Sequence, residues 1–256
     1  MHLLHLQDDG ELSLVKCSGN GIPRYAILSH IWGSDDDEVT FQDITSRSGK
    51  SKAGYRKIRF CGKQAKQDGL QHFWVDTCCI DKSSSAELSE AIISMFRWYK
   101  GAAKCYVYLS DVSINNFAVN SRCFQESRWF KRGWTLQELL APTSIEFFSQ
   151  ELSRLGDKDS LMPHIVEVTG IPSAALRGSP LSQFSLKARA SWLGERQTKR
   201  EEDRAYCLLG ILDVQMVPLY GEGQRMAFKR LLGELSKFAS LLGHLCASTQ
   251  LTSRLT

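Results

Sequence analysis

The run RYAILSHIWG, residues 24–33, is apolar from Tyr25 to Leu28 and closes on Trp32-Gly33. A run apolar on both faces predicts a strand buried on both sides, as in the middle of a parallel sheet. Two more such runs follow, HFWVDTCCID at 72–81 and KCYVYLSDV at 104–112. Helical patterns separate them. Residues 55–69 form a basic amphipathic segment with Ile58, Cys61 and Ala65 on one face and Gly69 placed just past its end. Ser84 and Glu87 have capping-box form, and Leu88, Ile92, Met95, Phe96 and Tyr99 then repeat at helical spacing. The stretch SRWFKRGWTLQELLAP, 127–142, reads as a third helix stopped by Pro142, and SIEFFS, 144–149, as a fourth strand.

Strand and helix thus alternate, which predicts an α/β fold: a doubly wound parallel sheet over residues 1–150 with helices on both faces. Residues 1–20 read as a strand or hairpin leading in. Beyond 150 the pattern turns mostly helical, predicting a C-terminal helical extension over 151–235, packed on the sheet with Glu202, Asp203 and Arg204 pairing across the boundary. Residues 236–256 read as a frayed tail.

Composition narrows the function classes. At 256 residues and 43% hydrophobic content, the chain can bury one sizeable core or one domain with an appendage. A net charge of +4 is too mild to point to nucleic acid. No apolar run approaches the ~20 residues of a membrane span, and MHLLHLQDDGEL lacks the regions of a secretory signal, so a cytoplasmic protein is expected. The eight cysteines show no C-x-x-C and no histidine at finger spacing. Cys78 and Cys79 in a strand would point to opposite faces, so buried, reduced thiols are expected and no metal. Asp35, Asp36, Asp37 and Glu38 lack the alternation of a calcium loop and read as solvated surface. There is neither a Rossmann nor a Walker phosphate loop.

In such sheets ligands bind beyond the carboxyl ends of the strands. The residues predicted there are Ser29, His30 and Trp32, then 76–81 with Asp76 and Asp81, then Ser110 and Asp111. Trp134 and Glu138, four apart, share one helical face, and a carboxylate so placed is tunable by apolar surroundings and charge. The plainer reading is a helix that buries its tryptophans and solvates its charges.

YAILSHIWG, FWVDTCCID, RGWTLQEL, EEDRAYCLLGI and LYGEG, in that order, resemble the fungal heterokaryon-incompatibility (HET) domain over residues 24 to about 235. The resemblance implies an effector that triggers programmed cell death, fused to a receptor carrying a nucleotide-binding module and repeats. After Glu234 the chain departs from the family pattern, lacking its acidic-then-aromatic close. The HET domain is distantly similar to the Toll/interleukin-receptor (TIR) domain, which implies a TIR-like, flavodoxin-like strand order. TIR domains carry a tryptophan and, four residues on, a catalytic glutamate followed by leucine; Trp134, Glu138 and Leu139 stand at that spacing, while YAILSHIWG echoes the first TIR strand loosely. Enzymatic TIR domains split NAD between nicotinamide and ribose when assembled. The implied site is therefore Glu138 as catalytic carboxylate, with Ser29, Trp32, Asp76, Asp81, Arg132 and Trp134 binding NAD as substrate, no further cofactor, and self-association on activation. On this reading Trp32 or Trp134 stacks on a ring of the substrate or fills the core, Asp76 and Asp81 hold a ribose or fix Arg132, and Arg128, Lys131 and Arg132 meet the pyrophosphate. Glu138 is read as largely outside the core, so neutralising it is expected to change stability by no more than about 1 kcal/mol. Three rivals stand beside it: a non-enzymatic death-signalling module acting by self-association, a cysteine hydrolase using Cys78 or Cys79 with His30 or His72, and a nucleic-acid binder.

Overall fold

A computed structural model describes residues 1–17 and 19–252, the side chains at 20, 119 and 238–252 excepted. Seven strands form one sheet: β1 His2–Leu6, β2 Leu12–Lys16, β3 Tyr25–His30, β4 His72–Trp74, β5 Lys104–Tyr108, β6 Ile145–Phe148 and β7 Arg154–Asp157, in the order β2-β1-β4-β3-β5-β6-β7. β4, β3, β5 and β6 are parallel, with the second strand of that set beside the first and the third on its other side. This is the doubly wound, flavodoxin-like order, and the switch point lies between β3 and β5. The edges are antiparallel, so the sheet as a whole is mixed. Connection length explains the two outermost pairs, β1–β2 and β6–β7: 7–11 and 149–153 are too short for the crossover a parallel neighbour needs. The lead-in hairpin is as expected, whereas β7 carries no apolar run and is not announced by the sequence.

Helices α1 Phe41–Thr45, α2 Tyr55–Gln67, α3 Ser85–Gly101, α4 Ile114–Val119, α5 Arg122–Gln125 and α6 Thr135–Leu140 fill the connections up to β6. The pleat sends neighbouring side chains to opposite faces. Phe73 therefore meets α2 closely, where a Cβ on Gly62 would come within 2.9 Å of its ring. Trp74 instead meets α3, edge-on to Trp98 and Tyr99 at 5.6 and 5.9 Å. By the same alternation Ser29 faces α6, and His30 faces the α2 side. Ala26, Ile27 and Leu28 of β3 are fully buried between the two layers.

Several expectations need correction. The stretch 127–142 is not one helix: a 3-10 turn, Arg128–Lys131, is followed by extended Arg132, and α6 starts only at Thr135. The break comes from pairing with the distant segment at 197, whose N–H donates to the Lys131 carbonyl and whose carbonyl accepts from Gly133, both at 2.7 Å. The second strand ends at Trp74, and Cys78 and Cys79 lie in the turn after it, with their N–H groups returning to the Val75 carbonyl. The argument from opposite strand faces therefore does not apply to them. Glu38 is buried rather than solvated. Ser84 caps α3, but Glu87 completes no box: its carboxylate takes the Asp81 N–H and His2.

The later helices are α7 Met162–Thr169, α8 Ser173–Leu176, α9 Leu186–Ser191, α10 Asp203–Tyr206, α11 Leu209–Leu212 and α12 Gly223–Thr252. α11 lies so close on α3 that a Cβ on Gly210 would sit 2.1 Å from that of Phe96. Of the three residues expected to pair across the boundary, Asp203 lies against the Trp134 side chain. Glu202 serves the Gly221 and Gly223 N–H groups instead, and Arg204 Nε is buried without a partner. The frayed-tail reading of 236–256 falls mostly outside the described side chains, as does Cys246; the backbone of α12 runs on to Thr252. The cysteines that are described are free thiols, all buried except half-buried Cys123. No described helix is long and apolar enough to cross a membrane.

Candidate functional site

Glu138 lies in α6 with its side chain 5% exposed, so it is a core residue and the non-core reading is wrong. Its Oε2 accepts the Ser29 hydroxyl from the end of β3, and Ser29 Oγ in turn accepts Trp129 Nε1–H at 2.8 Å. The Tyr99 hydroxyl, 3.1 Å from the Leu28 carbonyl, also reaches the carboxyl. Burial, and then the negative charge of Asp76, push the Glu138 acid up to about 7, although Ser29, Arg132 and Tyr99 pull it down. A carboxyl so poised exchanges its proton near neutral pH.

Around it the strand ends bring together most of the predicted residues. Trp32 Nε1–H donates to Asp76 Oδ2 at 2.8 Å. The Trp32 ring carries two cations, Lys82 Nζ at 3.8 Å and the Arg132 guanidinium at 4.6 Å. Arg132 is thus held by the ring and not by a paired hydrogen bond to Asp76: its Nε is buried without a partner, and only Asp76 Oδ2 is bonded, to Trp32. Trp134 stands at the N-terminal end of α6 and is turned to Asp203, which also accepts the Tyr220 hydroxyl at 2.8 Å. Asp81 is not in this group: its Oδ1 takes Gln42 and Ser83. Arg128 is tied to Asp111 by its backbone N–H and its Nε.

On the α2 side of the same strand ends, His30 Nε2 stands 3.8 Å from Asp76 Oδ1 and 3.9 Å from Glu38 Oε2. All three atoms are buried without hydrogen-bond partners. Burial and the nearby Lys57, Arg132 and Lys82 charges hold the imidazole well below its usual pKa, so it is neutral. Beyond it opens a cleft of about 1060 Å³ that Trp32 borders and Glu138 does not.

The cysteine alternative finds no geometry here. Burial pushes the Cys78 thiol well above its ordinary pKa, and both thiols meet Val75 backbone groups rather than a histidine.

Sequence reasoning missed Arg196, which is buried and donates to the Arg132 carbonyl at 3.0 Å and to Thr135 Oγ1 at 2.7 Å. It holds the start of α6 in place, and burial lowers its pKa to about 10. Tyr99 and Trp129 were missed as partners of the Glu138–Ser29 pair. Trp129 was within reach, two residues inside the quoted stretch, but only the fold aims its indole at Ser29.

A family model described as Heterokaryon incompatibility protein (HET) matches residues 25–122. Over 243 residues, 93% of the chain, the sequence is 55% identical to Vegetative incompatibility protein HET-E-1 of Podospora anserina. The chain spans 18% of that relative's own length. No solved structure matches the chain. From β3, through the cysteine turn after β4 and on to α5, the chain therefore carries a heterokaryon-incompatibility (HET) domain.

Proposed function

We propose that this domain is an effector of fungal vegetative incompatibility that triggers cell death by hydrolysing NAD at the nicotinamide–ribose bond. The observation that carries the reading is Glu138: a buried carboxyl with its pKa raised to about 7, bonded to Ser29 at the switch point of the sheet. The relative's printed name supports the incompatibility role, and the Trp134–Glu138–Leu139 spacing supports the TIR-like one.

In the proposed reaction the bond between ribose C1′ and the pyridinium nitrogen breaks with its electron pair going to the nitrogen. Nicotinamide leaves neutral while positive charge builds on the ribose. The Glu138 carboxylate stabilises that charge, water adds its oxygen to C1′, and the water proton passes through Glu138 to solvent. Because the Trp32 ring already carries Arg132 and Lys82, its task is to present cations rather than to stack on a base. Asp81, outside the cluster, takes no part.

Glu138 borders no part of the open cleft, so substrate entry requires Trp32 and Arg132 to move. Self-association on activation, through an attached receptor module, supplies that movement. The same enclosure favours the second reading, a non-enzymatic module in which Glu138 is a structural core acid. Incubating NAD with purified wild-type protein and with Glu138→Ala, both forced to oligomerise, separates the two. Hydrolysis by the wild type with at least a hundredfold loss in the variant supports the enzyme, and equal rates in both leave the structural reading.

A further inference from the structure

We infer that the cleft on the α2 side of the strand ends binds a phosphate-bearing small molecule, a nucleotide or dinucleotide, with Arg56, Arg59 and Lys63 holding the phosphates. This does not rest on the Glu138 chemistry. The three cations lie at helical spacing on one side of α2, all exposed and all lining the cleft. None has a carboxylate partner among the described residues, whereas the other lysines of the lining are spoken for: Lys50 by Glu11, Lys52 by Asp43 and Lys57 by Glu38. Of the two acids in the lining, Glu38 is spent on Lys57 and the Gly33 N–H, which leaves Asp37.

A basic stripe on a convex helix would be solvated surface. This one is concave and stands over the ends of β3 and β5, at the switch point where doubly wound sheets bind their ligands. The cleft volume, about 1060 Å³, suits one nucleotide-sized molecule. Half-buried Phe60 and Tyr108 give it an aromatic wall for a base, and Phe60 is fixed edge-on to Phe148 at 4.8 Å. With a net charge of only +4 over the whole chain, this concentration of unpaired cations is local.

Calorimetric titration of the full chain with inorganic pyrophosphate, adenosine triphosphate, NAD and a single-stranded 12-mer tests it. Binding of the triphosphate that weakens with salt, and at least about tenfold in R56Q/R59Q/K63Q, is expected. K187Q, which alters an exposed cation elsewhere, keeps wild-type affinity. Retention of binding in E138Q separates this site from the proposed catalytic one. If pyrophosphate competes with NAD, the cleft holds the substrate's own phosphates; if both bind together, it takes a separate nucleotide. No binding by any phosphate probe, or equal binding by the folded triple variant, overturns the inference, and so does tighter binding of the 12-mer, which would make the cleft a nucleic-acid surface.

Discussion

A carboxylic acid at 5% exposure is held at Glu138 against its own solvation, and that cost should be visible as a pH-dependent stability. In the unfolded chain the group titrates near its ordinary 4.5, and in the folded protein at about 7. Between these values the folded form keeps a proton that the unfolded form has lost, so stability falls as pH rises through the window and levels off above it. The full cost is about 3 kcal/mol, from roughly 1.4 kcal/mol per pH unit. Glu138→Gln keeps an acceptor for Ser29 and removes the titration. Its thermal stability should match wild type near pH 5 and exceed it at pH 8, while NAD hydrolysis is abolished. Melting curves at the two pH values check this, and an equal difference at both would mean the acid is ionised throughout. If the proposed mechanism holds, hydrolysis by wild type should rise through about pH 7, because the proposal uses the charged carboxylate.

At the scale of elements, the site depends on a pairing between segments far apart in the chain. Gln197 accepts the Gly133 N–H and donates its own to the Lys131 carbonyl, Arg196 ties the Arg132 carbonyl and Thr135, and α6 begins where that clamp ends. Gly133 has to be glycine here, since a Cβ would come within 2.5 Å of Thr198 Cγ2. Gly133→Ala should therefore destabilise the protein by about 1–3 kcal/mol, as overpacking does. Thr198→Ser removes that methyl and keeps the hydroxyl that donates to the Arg200 carbonyl. The double variant should recover most of the loss, and a double-mutant cycle from denaturant melts reads the coupling directly. Additive losses would place the strain elsewhere. In the proposed mechanism hydrolysis should follow the same cycle, because the clamp positions α6 rather than touching substrate.

For the whole molecule, the enclosure of Glu138 bears on the proposed role of assembly. In the proposed mechanism a dilute single chain stays closed behind Trp32 and Arg132, and joining the domain to an oligomerising partner opens it. Hydrolysis per molecule should rise at least tenfold in the forced oligomer over the dilute protein. Equal specific rates at both extremes, measured by NAD loss across a concentration series, would remove self-association from the mechanism.

What the sequence determined by itself was the layered core. β3 and the middle of β5 are apolar on both faces, Phe73 and Trp74 of β4 likewise, and α2 and α3 repeat at helical spacing, so local patterning reports burial directly. Ser29, Trp32 and Asp76 were legible as a group because strand ends in such a sheet converge, while Glu138 and Arg132 were joined to them only by the resemblance to TIR domains. The tertiary structure alone decided the rest. β7 is a short edge strand, Arg-Leu-Gly-Asp, whose pairing with β6 owes nothing to its own hydrophobicity. The helix expected over 127–142 is broken by backbone bonds to residue 197, a partner no local pattern announces. Burial of Glu138 and Glu38 likewise depends on what packs over them, and a charged residue in a sequence carries no mark of whether another segment will close above it.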